Sequence, residues 1–467
     1  MADYGIIIIG GGPAGYTAAL EAAEKGAKVA CIENRELGGT CLNRGCVPTK
    51  TLLHASEIVA GARKGEKFGI RTGEITVDLP AVFARKDEVS RTLSGGIESL
   101  FKKAGVDWIR GTAQVIGTGR VLVKDQVTEE GVKAESEYTA DHIVIASGSV
   151  PARPRIPGLD LPGVMTSDEL LQGCDHVYDS IVIIGGGVIG VELAVFYSDL
   201  GADVTVVEGL DRLLPIVDRE IGQNLGIIFK KRGIHVFTSS MVSSVEKTEA
   251  GFRVNFKDKK GEQSVEAEAV LSAIGRAPNT AGIVDPSLNI EMDGRMFKTG
   301  ENYETSIPGV YAVGDAASRI QLAHYAAAQA TDCVDRILGI ESGINLNTVP
   351  SCIYTVPEIA CTGMTQDDAK NAGTETVVGK YVMFANAKTF IDDGERSFIK
   401  IVADKESHKI VGAQIMCGHA TDMISEFTTA IDSGLTLEDM AAVIRPHPTY
   451  EEGVNEALAD AIGKCRK

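Results

Sequence analysis

Two α/β units of one design, each built on a parallel sheet and followed by a separate α+β domain, form the architecture that the sequence predicts. Three features predict it. A pattern of strand, glycine turn, helix and strand opens the chain and returns from residue 181. Beyond about residue 345 the pattern changes to apolar strands, Lys400-Ile-Val402 and Ile410-Val-Gly-Ala-Gln-Ile-Met416, followed by helical stretches. At 467 residues the chain is also too long for one hydrophobic core, so about three domains are expected.

The first unit reads Gly5-Ile-Ile-Ile-Ile9, then Gly10-Gly-Gly12-Pro-Ala-Gly15, an Ala-rich stretch to Gly26, and Lys28-Val-Ala-Cys-Ile32 ending in Glu33. Gly10 allows the tight turn, Gly12 lets a pyrophosphate approach the backbone, and Gly15 lets the helix pack closely on the strand. The helix N-terminus then faces the phosphates, and the acid closing the second strand can accept hydrogen bonds from a ribose. The second unit repeats this with Ile181-Val-Ile-Ile184, Gly185-Gly-Gly187-Val188-Ile189-Gly190 and Val204-Thr-Val-Val207-Glu208. Glu33 follows Gly10, and Glu208 follows Gly185, by the same 23 positions. One such motif is weak evidence; two framed alike are strong. They predict two Rossmann-like dinucleotide sites, suited to a flavin and a nicotinamide because hydride passes readily between them. A carboxylate at Glu208 favours a free 2′-hydroxyl over a 2′-phosphate, and so NAD over NADP; Arg212, close in sequence, argues the other way.

Other strand ends carry polar groups. His142-Ile-Val-Ile-Ala146 leads into Ser147-Gly148-Ser149, and Val150-Pro151 with Pro154 and Pro157 marks a domain crossing. Ala269–Gly275 leads into Arg276-Ala-Pro278-Asn279, and Gly309-Val-Tyr-Ala-Val-Gly314-Asp315 reads as a short buried strand. An Asp after glycine is usually a turn residue, though here it can also reach a flavin side chain.

A net charge of −18, spread along the chain, argues against nucleic acid or an anionic membrane as partner. No apolar run approaches the roughly 18 residues needed to span a bilayer, and the start has no basic leader, so a cytoplasmic location is expected. Nine cysteines, scattered and odd in number, do not form a secreted disulfide scaffold, and no Cys or His spacing resembles a metal site. Cys31, Cys174, Cys333, Cys352, Cys361, Cys417 and Cys465 stand alone and read as buried small apolar residues.

Cys41 and Cys46 are different. They lie in Gly38-Gly39-Thr40-Cys41-Leu-Asn-Arg-Gly45-Cys46-Val-Pro48-Thr-Lys50. On a regular helix, residues five apart are rotated by about 140° and separated by about 7.5 Å of rise. That exceeds the roughly 4.4–6.8 Å that a disulfide favours between Cα atoms. A bond therefore requires a local distortion, which Gly45 and Pro48 permit. A disulfide closing so short a loop opens easily, which suits catalysis better than stability. Such chemistry needs a base to make the attacking thiolate. Among eight histidines, His447 in Arg445-Pro446-His447-Pro448-Thr449 has Glu452 five residues on, able to orient its imidazole.

Taken together, these motifs resemble the pyridine nucleotide–disulfide oxidoreductases over essentially the whole chain. The resemblance implies FAD in the first unit, NAD in the second, and a homodimer built by the last domain. It divides the chain into 1–149 and 276–345 for the FAD-binding domain, 150–275 for the NAD-binding domain and 346–467 for the interface domain. It assigns Gly10, Gly12, Gly15, Glu33, Gly39, Thr40, Lys50, Ala113, Ser147, Gly148, Asp315 and Ala323 to FAD. It assigns Gly185, Gly187, Val188, Ile189, Gly190, Glu192, Glu208 and Gly275 to NAD. Lys50 and Glu192 match an ion pair near the flavin–nicotinamide contact, and Asp315 the residue that holds the ribityl chain. Cys41 then exchanges with substrate, Cys46 faces the flavin, and His447, oriented by Glu452, serves the disulfide of the other subunit.

Relatives differ in substrate. Leu20-Glu21 stands where the glutathione-reducing branch carries basic residues, and Val188 where that branch carries an aromatic. Branches with a second thiol pair near the C-terminus are excluded by the solitary Cys465, and the soluble transhydrogenases lack the disulfide this chain has. What remains is the branch that oxidises dihydrolipoamide on a lipoyl domain of a 2-oxo acid dehydrogenase complex or glycine-cleavage protein. The rivals are a reductase of another small disulfide and a non-catalytic redox sensor, which has no need of His447 with Glu452. Arg445-Pro446 and Tyr450-Glu451 depart from the family pattern beside that histidine and bear on access of the lipoyl arm.

Overall fold

The structure, a computed structural model, describes residues 2–127 and 133–466. β1 (Tyr4–Ile9), α1 (Pro13–Glu24) and β2 (Val29–Glu33) make the first unit. Ile6–Ile9 are each at most 3% exposed, which explains why this strand shows no polar alternation: it is covered on both faces. α2 (Gly39–Asn43) and α3 (Cys46–Lys64) carry the cysteine pair. α4 (Leu79–Ala104) follows, opened by the Asp78 side chain accepting from the Ala81 N–H and closed by Gly105 at φ 72°. β3 (Asp107–Arg110), β4 (Thr112–Gly117), β5 (Arg120–Val127) and β6 (Lys133–Ile145) complete a sheet ordered β3-β2-β1-β6-β5-β4.

β7 (Ser149–Pro151) leads out of this sheet. The second unit contains β8 (Val164–Thr166), α5 (Ser167–Leu170), β9 (Ser180–Ile184), α6 (Val188–Leu200) and β10 (Asp203–Val207). It continues through α7 (Arg219–Lys231) and β11 (His235–Phe237). An antiparallel meander of β12 (Met241–Thr248), β13 (Gly251–Asp258) and β14 (Gly261–Ala267) precedes β15 (Ala269–Ser272). The parallel sheet is ordered β11-β10-β9-β15-β8. The return crossing, β16 (Arg276–Pro278), pairs antiparallel with β7, so both domain crossings run side by side. After the short β17 (Met292–Asp293) and β18 (Met296–Phe297), β19 (Val310–Ala312) rejoins the first sheet beside β6. α8 (Ala323–Ile337) then lies on α1.

The last domain is a five-stranded antiparallel sheet with helices around it. Its elements are β20 (Ser351–Ile353), β21 (Glu358–Gly363), α9 (Gln366–Asn371), β22 (Thr376–Val382) and α10 (Ala387–Ile391). They continue with β23 (Phe398–Asp404), β24 (Ile410–Cys417), α11 (Ala420–Asp432), α12 (Leu437–Ala441) and α13 (Glu452–Cys465). One apolar core joins all three regions: Leu52 and Leu53 of α3, Leu193 and Phe196 of α6, and Ile353 and Phe398 of the last sheet. A buried ion cluster adds to it. Lys400 Nζ lies 2.9 and 3.0 Å from the Asp218 carboxylate oxygens and 3.0 Å from Glu220, tying β23 to the start of α7. Among the described residues no helix is long and apolar enough to cross a membrane.

Candidate active site

The two glycine units fold alike down to single contacts. Gly10 has φ 106° and Gly185 φ 111°, and a Cβ at either would stand 2.4 Å from a backbone carbonyl oxygen, of Ala146 or Ala273. A Cβ at Gly15 would be 1.7 Å from the Gly10 oxygen, and one at Gly190 would be 1.9 Å from the Gly185 oxygen. No other residue closes these turns. Gly12 and Gly187 are helix N-caps with no side-chain cap. A Cβ at Gly187 would meet nothing within 4 Å, and one at Gly12 only the Gly39 Cα, at 3.8 Å. Each helix start thus keeps an open backbone cradle for an anion, and both fit a dinucleotide pyrophosphate. The acids match too. Glu33 accepts from the N–H groups of Gly11 and Arg35, both at 2.7 Å. Glu208 accepts from those of Gly186, at 2.6 Å, and Leu210, at 2.7 Å. Arg212 turns away: it donates to the Pro215 carbonyl at 2.9 Å and to Asp211 at 3.1 Å.

Around the first cradle, Gly39 has φ 55°, and a Cβ there would be 2.6 Å from the Gly12 Cα. That close approach brings Thr40 and Cys41 to the nucleotide side of the sheet. Ala323 is the first residue of α8, and Gly314 sits between Ala14 and Ala326 where α1 and α8 converge. Ser147 Oγ donates to the Asn279 carbonyl at 2.7 Å, and the Gly148 carbonyl accepts from the Asn279 N–H at 2.9 Å. Asp315 accepts from Ser149 Oγ at 2.6 Å, and burial raises its carboxyl above the ordinary range. Ala113 is a core residue of β4, opposite Val123. Gly275, at φ 113°, has open space above its Cα in the second domain.

The cysteine segment breaks where a bond would need it to break. α2 ends at Asn43, Gly45 takes φ −153° and ψ −112°, and α3 starts afresh at Cys46 with Pro48 tolerated in its first turn. The structure presents the pair as two thiols, Cys41 half-buried and Cys46 exposed. They are unequal. The hydrogen bond from Cys41 lowers Cys46 to about 7, with the Lys50 ammonium acting the same way against burial and Glu192. Donating that bond, together with burial, pushes the Cys41 thiol well above the ordinary range. Lys50 Nζ binds the buried Glu192 carboxylate at 2.8 and 2.7 Å.

His447 Nδ1 is 2.8 Å from Glu452 Oε1, and the Thr449 N–H donates to Glu452 Oε2 at 3.0 Å. The bond to His447 holds the Glu452 carboxyl below its usual range. The imidazole is 72% exposed, leaving Nε2 open. Among the described residues, no hydrogen bond joins His447 to either cysteine within one chain. The neighbouring departures are turned inward. Arg445 is spent on Glu426, Asn455 and the Met440 carbonyl. Tyr450 is buried against Gly418, with its hydroxyl donating to Asp392 at 3.0 Å. Of the seven solitary cysteines, Cys31, Cys333 and Cys417 are buried as expected, whereas Cys174, Cys352, Cys361 and Cys465 are only half-buried.

Two contributors escaped the sequence reading. Arg276 donates from Nε to Ser149 Oγ at 2.8 Å and lies 3.5 Å from Thr40 Oγ1, so the return crossing braces both Asp315 and the cysteine segment. Tyr354 lies against Lys50 and Glu192. Arg276 stood in a quoted motif, but its partners are far away in sequence; Tyr354 gave no local signal.

Two nucleotide cradles and a reactive thiol pair define a dinucleotide-dependent disulfide oxidoreductase. Comparison with known proteins makes this specific. Residues 4–330 match the family model described as pyridine nucleotide-disulphide oxidoreductase, and residues 349–458 match that family's dimerisation domain. The chain belongs to this family. It is 38% identical to dihydrolipoyl dehydrogenase 3 of Pseudomonas putida, covering 99% of each chain. It is 36% identical to a dihydrolipoyl dehydrogenase of Bacillus subtilis, again over 99% of each. Among solved structures it resembles LpdA of Mycobacterium tuberculosis, with a TM-score of 0.87, 28% identity and coverage of 97% and 98%. It also resembles the HOCl-induced flavoprotein disulfide reductase RclA of Escherichia coli, with a TM-score of 0.84, 27% identity and coverage of 98% and 99%. The protein is an NAD-linked flavoprotein disulfide oxidoreductase with FAD and NAD(H) as cofactors, and its dimerisation domain supports a homodimer.

Proposed function

We propose that this protein oxidises the dihydrolipoamide arm of a lipoyl domain, as the dehydrogenase component of a 2-oxo acid dehydrogenase complex or glycine-cleavage system. The observation that carries this is the pair of thiols set on either side of the helix break at Gly45, next to the Lys50–Glu192 ion pair. His447 of the partner subunit, its Nδ1 held by Glu452, takes a proton from one substrate thiol at Nε2. The substrate thiolate attacks Cys41 Sγ; one S–S bond forms, the Cys41–Cys46 bond breaks, and the electron pair leaves on Cys46. The family resemblance makes Cys41 the sulfur attacked and Cys46 the leaving thiol, and the Lys50 ammonium, which lowers the Cys46 thiol, suits it to leave. Exposure in the single chain favours Cys46 itself, but Cys41 is only half-buried, so access does not override the leaving-group preference. The second substrate thiol then attacks the substrate sulfur of the mixed disulfide and passes its proton to Cys41, and oxidised lipoamide departs. FAD in the first cradle and NAD in the second supply the acceptor chemistry that takes two electrons from the dithiol and restores the disulfide. The cytoplasm suits this chemistry, because it keeps thiols such as the buried Cys31, Cys333 and Cys417 reduced.

A second reading, reductase of another small disulfide, is favoured by the likeness to RclA. Steady-state assays decide between them: dihydrolipoamide with NAD and with NADP, against NADH with glutathione disulfide. Turnover of dihydrolipoamide at least tenfold more efficient than of glutathione disulfide is expected, and the reverse order overturns the proposal. Turnover of neither also overturns the proposal.

Glu208 sets a selectivity that the same assay reads. Its carboxylate would repel a 2′-phosphate, and Arg212 is tied to Pro215 and Asp211 and offers it no counter-charge. One such contrast is worth roughly 1.5–3 kcal/mol, or about ten- to a hundredfold in kcat/KM for NAD over NADP. Equal efficiency with the two would show that Glu208 does not govern the choice.

A further inference from the structure

The last domain reaches back into its own chain's redox centre at one point. Tyr354 directly follows β20, and its ring lies 4.7 Å from Lys50 Nζ, measured to the centroid. Its backbone N–H donates to Glu192 Oε1 at 3.0 Å. One residue of the interface domain therefore touches both members of the Lys50–Glu192 pair, whose partners come from α3 and α6. The position is a stiff one. Ile353, next to Tyr354, is fully buried in the same core as Leu52, two residues from Lys50. Glu192 is fixed because its second-strongest demand, after the ammonium, is met by a rigid backbone donor. Lys50 is different: its side chain is long, 29% exposed, and free to swing unless something holds it. An aromatic face attracts an ammonium through the ring quadrupole, most effectively where water is partly excluded.

We propose that Tyr354 is a positioning residue of the redox centre, whose ring holds the Lys50 ammonium against Glu192 and within electrostatic reach of Cys46. This rests on the reading of Cys41 and Cys46 as the redox pair. Cys46 is faced by the Cys41 thiol, the Lys50 ammonium and the Glu192 carboxylate, with Arg276 also within electrostatic range. Of these, Lys50 and Glu192 both take a contact from Tyr354, Lys50 from its ring and Glu192 from its backbone N–H, so the docking of the interface domain is felt at the leaving thiol. The hydroxyl of Tyr354 is not needed for this; the π-face is.

The test uses the FAD-loaded protein, reduced with excess dithiothreitol, desalted anaerobically and alkylated with iodoacetamide across pH 5.5–9 (roughly the span around a thiol near 7). Mass spectrometry then gives the rate at Cys46. Tyr354→Phe keeps the ring, and the alkylation profile is expected to match that of the unaltered protein. Pentafluorophenylalanine at the same position is nearly isosteric but reverses the ring quadrupole. It should move the profile upward by about 0.5–1 pH unit, a three- to tenfold loss of alkylation rate below pH 7. A purely structural role for the ring predicts no such shift, and an unmoved profile overturns the proposal. So does an equal shift in Tyr354→Phe, which would place the effect in the hydroxyl. In a Lys50→Met background fluorination should change nothing, and a persisting shift there also overturns it. If Cys46 in the unaltered protein titrates as an ordinary thiol, the redox-pair reading itself fails, and the proposal falls with it.

Discussion

Cys46→Ser is expected to abolish dithiol oxidation while leaving the flavin in place and the enzyme yellow. Without the second sulfur no internal disulfide exists, so there is no S–S bond for a substrate thiolate to break. Oxidation of NADH by an artificial acceptor such as ferricyanide needs only the cofactors and should persist. Reduction of the unaltered protein by one equivalent of dithiol should produce a long-wavelength absorption from the Cys46 thiolate against the flavin. With Cys46 lowered to about 7, this band should strengthen as pH rises through 7 and fade below it, because protonation removes the donor. Cys41→Ala should also be inactive, yet it keeps a thiol at Cys46. It loses the hydrogen bond that does most to hold that thiol low, so its band should appear only at higher pH. A band in Cys46→Ser, or a band in Cys41→Ala with an unaltered pH profile, would remove Cys46 from the role of low-pKa thiol.

That the two glycine units were legible in the sequence follows from how little freedom their positions leave. Gly10, Gly15, Gly185 and Gly190 stand where any Cβ would enter a backbone oxygen, so composition alone records the geometry. The break between Cys41 and Cys46 was legible for the converse reason: a helix cannot bring residues five apart together, and Gly45 marks the place where the chain gives way. His447 and Glu452 were readable as a pair because they lie within one turn and its flank. What stayed hidden depends on contacts across long separations. Arg276 meets Ser149 only because β16 pairs with β7, and Tyr354 meets Lys50 only because the last sheet docks on α3 and α6. Neither contact has a spacing that a linear pattern can carry.

Some of the fold was legible and was passed over. In the meander β12–β14, buried Phe252, Val254 and Phe256 alternate with half-buried Arg253 and Asn255, a half-covered sheet by its period. The long α4 announces itself with Asp78 before it, Pro80 in its first turn and Gly105 after it. The directions of Arg445 and Tyr450, by contrast, are not legible from position alone. Beside a histidine that serves substrate, the two residues suggested a changed access path. The structure turns both inward, where Arg445 meets Glu426 and Tyr450 packs on Gly418. Direction of a side chain is decided by the packing around it, and a loop sequence does not record that.

The most exacting expectation concerns His447 and the second subunit. Within one chain the imidazole is exposed and oriented, and among the described residues no hydrogen bond joins it to the thiol pair, which accords with the proposed service to the other subunit's disulfide. His447→Ala should keep its fold, its FAD and its NADH oxidation by an artificial acceptor. Its dithiol oxidation should fall by about 10²–10⁴-fold, the usual contribution of a positioned general base. Glu452→Gln should fall less, since it weakens the orientation of the imidazole and leaves the base itself present. Subunits of His447→Ala and of Cys41→Ser, each nearly inactive alone, are then mixed under conditions that exchange them. A heterodimer pairs the intact disulfide of the first with the intact His447 of the second, giving one good site in two. Statistical exchange makes half of the dimers mixed, so activity should recover to about one quarter of that of the unaltered enzyme. If the base acted within its own chain, every heterodimer would hold two broken sites and nothing would recover. Subunit exchange followed independently, by mass or by a tag, makes the absence of recovery decisive against the shared site.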